Sequence, residues 1–202
     1  MPTKWKGNLT ILLGVILILA SGFFFIASKV RANEQRAAAE AFERELAEGI
    51  VMDHGEVEIG DPVPQSSLGV IRLDKIGVVL PIFFDTSSES LEKGAGLVEG
   101  TDPPAPQRGI TSVIAAHRGG RRESQSFMKV DQLTPGDAIQ VTTQESKLTY
   151  EVVGQVVVEA KDWSHFYREE HETRLLLLTC HPYPRNHQRL LVEAKLVSSE
   201  QI

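Results

Sequence analysis

Three textures follow one another along the chain. From Leu9 to Ile26 almost every position is apolar, LTILLGVILILASGFFFI. With its neighbours the run is about 18–20 residues, enough for a helix to cross a hydrocarbon core roughly 30 Å thick. A cleavable signal peptide has a shorter apolar centre, about 7–15 residues. The pattern therefore predicts a retained transmembrane anchor within residues 1–30. Lys4 and Lys6 precede the run, and Lys29 and Arg31 follow it. These basic residues nearly balance. The N-terminal amine and Glu34 tilt the expected orientation towards an N-terminus inside and a single-pass protein with its main domain outside the cell membrane.

Residues 31–50, RANEQRAAAEAFERELAEGI, are rich in strong helix formers. Ala38, Ala41, Phe42 and Leu46 make a narrow apolar stripe at spacings of three and four. Two readings stand: a stalk that lifts a domain off the membrane, or a helix packed on that domain or on another copy. MDHGEVEIGDPVPQSS follows and collects Gly, Pro and Ser, the composition of a linker. Residues 31–66 are thus expected to form a helical stalk and linker.

Beyond them, in residues 67–202, short β-branched runs alternate with turn signals. They read VIRLDKIGVVLPIF, ITSVIAA, AIQVTT, LTYEVVGQVVVEA, RLLLLTC and RLLVEAKLV. Such spacing predicts a mostly β domain, a sandwich or a barrel, rather than βαβ units. SSESLEKGAG predicts one short helix, with Ser88 as N-cap candidate and Gly94 near the C-cap.

Composition narrows the function. A net charge of −6 over 202 residues argues against a nucleic-acid partner. A single cysteine excludes an intrachain disulfide and a multi-cysteine zinc site. That cysteine, Cys180, stands at the lip of an apolar run, followed by a proline-broken loop and then Arg189. A cysteine nucleophile needs a partner to manage protons, and histidine suits near-neutral pH. Among six histidines, His117 ends the strand-like SVIAAHRGG and enters a glycine turn. Arg189, opening the next strand, could hold a carbonyl oxygen as it becomes an oxyanion. Taken singly, each residue also has a bland role: core thiol, solvated loop imidazole, surface charge. His181 and His187 flank the loop, and with Cys180 they would give zinc only three ligands. No metal or cofactor is expected.

The segments KGAGLVEGT, VIAAHRG and LLLLTCHPYPRNHQRLLV resemble the transpeptidase family called sortases. The resemblance runs from Gly69 to Val197. The family pattern is a histidine in a strand-end turn, a Thr-Leu-x-Thr-Cys-type strand and an arginine on the next strand. His117, Cys180 and Arg189 occupy those places; Leu176 replaces the first threonine and Thr179 keeps the second. The resemblance implies a closed barrel of about eight strands with short helices. It implies that the three residues are catalytic and meet at the barrel mouth. Thr179, Trp163 and Phe166 are then candidates for substrate binding, although core packing is an equal reading for both aromatics.

The implied reaction is acyl transfer. Cys180 would cleave an LPXTG-like sorting signal through a thioester and pass the acyl group to an amine, a pilin lysine or a peptidoglycan precursor. The short HPYPRNHQ loop is similar to class C, pilus-assembly sortases. Two features depart from that class: Asp61-Pro62-Val63 lacks the aromatic of a lid motif, and the chain ends VSSEQI without a second apolar run. A class D-like or housekeeping role therefore stays open. So do a cysteine protease, which would hydrolyse the same thioester, and a non-catalytic β-barrel binding module.

Overall fold

The alternating runs form eight strands. They are β1 (Ser67–Leu73), β2 (Val78–Phe83), β3 (Ala95–Leu97), β4 (Thr111–Ala115), β5 (Ala138–Thr143), β6 (Ser146–Glu159), β7 (Arg174–His181) and β8 (Gln188–Gln201). Hydrogen bonds link them in the order β1-β2-β3-β4-β7-β8-β6-β5, and the sheet closes on itself. This computed structural model describes residues 67–119 and 126–202, together with Ala37, which is helical. The expected anchor, stalk and linker otherwise lie outside the described residues. Among those described, no helix is long and apolar enough to cross a membrane.

The first long run divides where sequence pattern alone gave one strand. Asp74–Ile76 make a single 3-10 turn, and Gly77 closes it by donating to the Asp74 carbonyl at 3.1 Å. The resulting hairpin pairs Leu73 with Val78. β3 has no period-2 signal, being only Ala-Gly-Leu. Close packing requires its glycine, because a Cβ at Gly96 would lie 2.0 Å from the Asp85 carbonyl oxygen.

The helix is α1, Ser88–Lys93, and its N-cap is Ser87 rather than Ser88. The Ser87 hydroxyl accepts from the Ser90 amide at 3.3 Å. Asp85 fixes the approach by accepting from the Ser87 amide and the Ser90 hydroxyl, each at 2.8 Å. Hydrogen bonds from Ser87, and then Ser90, hold its carboxyl below the usual carboxylate range. Gly94 closes the C-terminus, as its position suggested.

Side chains alternate across each strand, so one row from every long strand fills the barrel. Ile71, Leu80, Ile114, Val141, Tyr150, Leu177 and Val192 belong to this continuous core. Burying a side chain of this size is worth about 1.5–3 kcal/mol relative to exposure. Tyr150 is fully buried, its hydroxyl has no partner among the described residues, and burial pushes its pKa up. A second, smaller cluster lies on the other side of the sheet. Val98, Val113 and Leu176 form it, with Ala115, Phe166 and Leu178 packed against them.

Candidate active site

β7 carries both rows. Leu175 and Leu177 join the barrel core, whereas Leu176 and Leu178 join the outer cluster. By the same alternation Thr179 faces inward and Cys180 outward. Cys180 is half-buried. It therefore sits on the outer face of the barrel near a strand end, and not at the barrel mouth. The run of four leucines hid this, because both faces of the strand are covered and neither alternates with polar residues.

Pairing on the two sides of β7 brings in the other candidates. On one side β8 runs antiparallel, and Arg189 is the direct register partner of Cys180. Side chains directly opposite in such a pair share a face, with Cβ atoms about 4.5–5.5 Å apart. On the other side β4 runs parallel, from Thr111 opposite Arg174 to Ala115 opposite Leu178. The ladder ends with the Ala116 amide donating to the Leu178 carbonyl at 3.2 Å. The Thr179 hydroxyl then donates to the Ala116 carbonyl at 2.8 Å across an offset of 63 positions. His117 and Cys180 stand at that same offset. His117 is exposed, with its carbonyl accepting from the Phe127 amide at 2.9 Å. Thus β7 and β8 place a thiol and a guanidinium opposite one another, and His117 follows two residues after the end of β4, the strand on the other side of β7.

Arg189 is half-buried, and its hydrogen bonds are to main-chain carbonyls. Nη1 donates to Gln188 at 2.8 Å and to Asn186 at 3.2 Å. Among the described residues no carboxylate neutralises it. A fork anchored by one nitrogen can still offer its remaining N–H groups to a developing oxyanion. Asn186 adopts φ 57°, a left-handed conformation that asparagine tolerates, and its amide donates to the Pro182 carbonyl at 2.8 Å. This turn brings the chain from β7 straight back into β8.

The three substrate-binding candidates separate. Thr179 is buried, 2% exposed, and its hydroxyl is engaged by Ala116. Its side chain points into the barrel, so it braces β4 against β7 and does not meet a molecule on the outer face. Phe166 does pack on that face, against Val98, Val113 and Leu176. Trp163 lies at the rim, 60% exposed, edge-on to Phe166 with ring centroids 5.4 Å apart. Both belong to the segment between β6 and β7, where a 3-10 turn spans Ser164–Phe166. Polar contacts secure this segment. Arg174 donates to the Tyr167 carbonyl at 3.1 Å and lies 4.7 Å over the Tyr167 ring. Glu193 reaches His165 at 3.5 Å and Arg174 at 3.8 Å. Arg168 pairs with Asp102.

Arg118, absent from the sequence reading, and His181, weighed there only as a metal ligand, lie beside the site. Arg118, 9% exposed, contacts the His181 Nδ1 at 2.7 Å and donates to the Asp131 carboxylate at 2.7 Å. Their only sequence signal was adjacency, since Arg118 follows His117 and His181 follows Cys180. His181 is thereby engaged by an arginine, an arrangement unlike a metal ligand. Among the described residues no group of three or more His, Cys, Asp or Glu is placed to hold a metal ion.

Comparison with known proteins gives the chain a family. The family model for the sortase domain matches residues 71–197. Sortase D of Bacillus subtilis (strain 168) is 28% identical over 122 residues, which is 60% of this chain and 58% of that protein's length. A sortase C structure from Streptococcus pneumoniae is 30% identical, with a TM-score of 0.65 over 86% of this chain and 91% of that one. A pilus-related sortase C of Group B Streptococcus is 29% identical, with a TM-score of 0.64 over 82% of this chain and 89% of that one.

Proposed function

Because the chain belongs to the sortase family, we propose that it is a cysteine transpeptidase acting on proteins that carry an LPXTG-like sorting signal. The observation that carries this reading is the common edge of β4, β7 and β8. Cys180 and Arg189 are register partners there, and His117 stands at the ladder offset from Cys180. Each has a role set by its chemistry. The Cys180 thiol passes its proton to His117 as its sulfur attacks the Thr–Gly carbonyl carbon, and the carbonyl electrons move onto oxygen. Arg189 donates to that oxyanion. As the tetrahedral intermediate collapses, the C–N bond breaks, and His117 gives its proton to the departing glycine amine. A thioester remains on Cys180. An incoming amine then attacks the thioester carbon and loses a proton to His117; the C–S bond breaks, His117 returns that proton to the sulfur, and the thiol is restored as a new amide forms.

The acceptor we favour is a pilin lysine. The class C sortases among the structural neighbours support it, as does the short Cys180-to-Arg189 loop. A class D-like role with a peptidoglycan-precursor acceptor is the second reading, and the sortase D relative favours it. We also propose a single-pass membrane protein with its barrel outside the cell. The length of the Leu9–Ile26 apolar run supports this.

The test is intact-mass spectrometry of residues 31–202 incubated with a panel of sorting-signal peptides. The expected product is a thioester adduct that a lysine or oligoglycine amine converts to an amide faster than water hydrolyses it. Hydrolysis unaffected by any amine would make the protein a protease instead.

A further inference from the structure

The residues that follow the imidazole and the thiol are bonded to one another. Arg118 succeeds His117, and His181 succeeds Cys180. The Arg118 guanidinium meets the His181 Nδ1 at 2.7 Å, again across 63 positions. A guanidinium only donates, so in this contact Nδ1 is the acceptor. The other terminal nitrogen, Nη2, donates to Asp131 at 2.7 Å, on the 3-10 turn Val130–Gln132. One position further on, Gly119 lies against Tyr183 of the β7–β8 loop. A Cβ there would come within 2.2 Å of the Tyr183 ring, and the backbone has φ 97°. The turn after β4 is therefore clasped at two successive positions, first to the last residue of β7 and then to the loop that follows.

Stability alone is a poor reason for this arrangement. Removing a guanidinium from water is costly, and an ion pair with a half-exposed carboxylate such as Asp131 returns little of that cost. Among the described residues, moreover, the buried Arg118 Nε has no partner. What the clasp does supply is geometry. β4 pairing stops before His117 is reached, so the backbone ladder does not by itself hold the imidazole.

We infer that Arg118 is a positioning residue: bonded to His181 and Asp131, it holds the His117 turn against the end of β7 and sets the approach of the imidazole to Cys180. The inference rests on the transpeptidase reading of the site. Lysine cannot substitute, because a single ammonium lacks the fork that reaches both partners at once. His181 acts only as the acceptor, so an asparagine oxygen in its place serves the same bond.

The test needs no substrate. The rate of Cys180 alkylation by iodoacetamide is followed from acid to mildly alkaline pH in wild type, His117→Ala, Arg118→Gln, His181→Leu and His181→Asn. Melting temperatures establish that each variant is folded. His117→Ala is expected to change the profile. Arg118→Gln and His181→Leu move it towards that of His117→Ala, and His181→Asn keeps the wild-type profile. With a sorting-signal peptide, acylation in His181→Leu falls about tenfold to a hundredfold, the size of effect a misplaced group produces, while KM is little changed.

Wild-type profiles in folded Arg118→Gln and His181→Leu would overturn the inference. So would equal impairment in His181→Leu and His181→Asn, or a wild-type profile that His117→Ala leaves unaltered. If Arg118→Gln does not fold, the His181 pair decides. Failure of the transpeptidase reading looks different: wild type forms no acyl-enzyme with any sorting-signal peptide, whatever the alkylation profiles show.

Discussion

On the inner row of β7, Leu175 and Leu177 are 0% exposed and Thr179 is 2% exposed. On the outer row Leu176 is fully buried, but Leu178 and Cys180 are only half-buried. Two rows on one strand therefore have different gradients. Seven other strands seal the inner row along its whole length. Phe166 and its neighbours cover the outer row, and that cover thins towards the strand end. A reactive group on the inner row could meet no solute, however well it was partnered. The outer row offers an apolar floor at one end and an accessible thiol at the other. This contrast explains why the chain can spend four leucines in succession and still present chemistry two positions after the last of them, at Cys180.

The sharpest way to test the contrast is at its open end. Cys180→Ala is expected to abolish adduct formation with sorting-signal peptides while leaving the melting temperature near that of wild type. A trapped adduct in this variant, seen by mass spectrometry, would put the nucleophile elsewhere. The converse substitution is Leu177→Ala on the sealed row. Its expected cost is about 2–5 kcal/mol of stability, read as a lowered urea midpoint, with turnover per folded molecule retained. Loss of turnover without loss of stability would erase the distinction between the rows.

Arg189→Lys probes the outer row more finely. It keeps the charge and removes the fork, and turnover should fall about a hundredfold with no matching change in stability. Equal activity would mean that charge alone suffices. The smallest effect is expected away from both rows, at Asp137. Its carboxylate accepts from Lys75 at 2.6 Å and from the Thr134 amide at 2.6 Å. The Lys75 bond first, then that amide, depress its pKa below the ordinary 3.8. A depressed folded-state pKa gives stability that is present above the unfolded value and lost as pH falls through the folded one. Asp137→Asn should thus lower the melting temperature slightly at neutral pH, and the gap should close in acid. A gap that widened in acid would reverse the sign.

How much of this was legible in the sequence depends on where each signal is stored. β6 shows its alternation openly, because one of its faces meets solvent along much of its length. β7 was legible as a strand but not as two rows, since leucine serves either face. β3 left no trace, because Ala-Gly-Leu is held by pairing with β2 and β4 rather than by its own propensity. His117, Cys180 and Arg189 could be singled out because their residue types and strand-end settings are local. Arg118 could not. Its neighbours His117 and Gly119 suggest a solvated turn, and its burial comes from Asp131 and His181, which reach it from other parts of the chain. Thr179 was ambiguous for the opposite reason. A threonine beside a nucleophile suggests contact with a ligand, yet the pleat turns it inward.

The parallel pairing of β4 with β7 carries a consequence for the life of the chain before it folds. The segments that carry His117 and Cys180 come together only because a long excursion closes on a single register, and contacts of such sequence separation must first overcome loop-closure entropy. A polypeptide that has not completed its barrel carries an unassisted sulfhydryl, indistinguishable from that of any free cysteine. On the proposed function, the help that Cys180 receives from His117 therefore exists only once the barrel has closed.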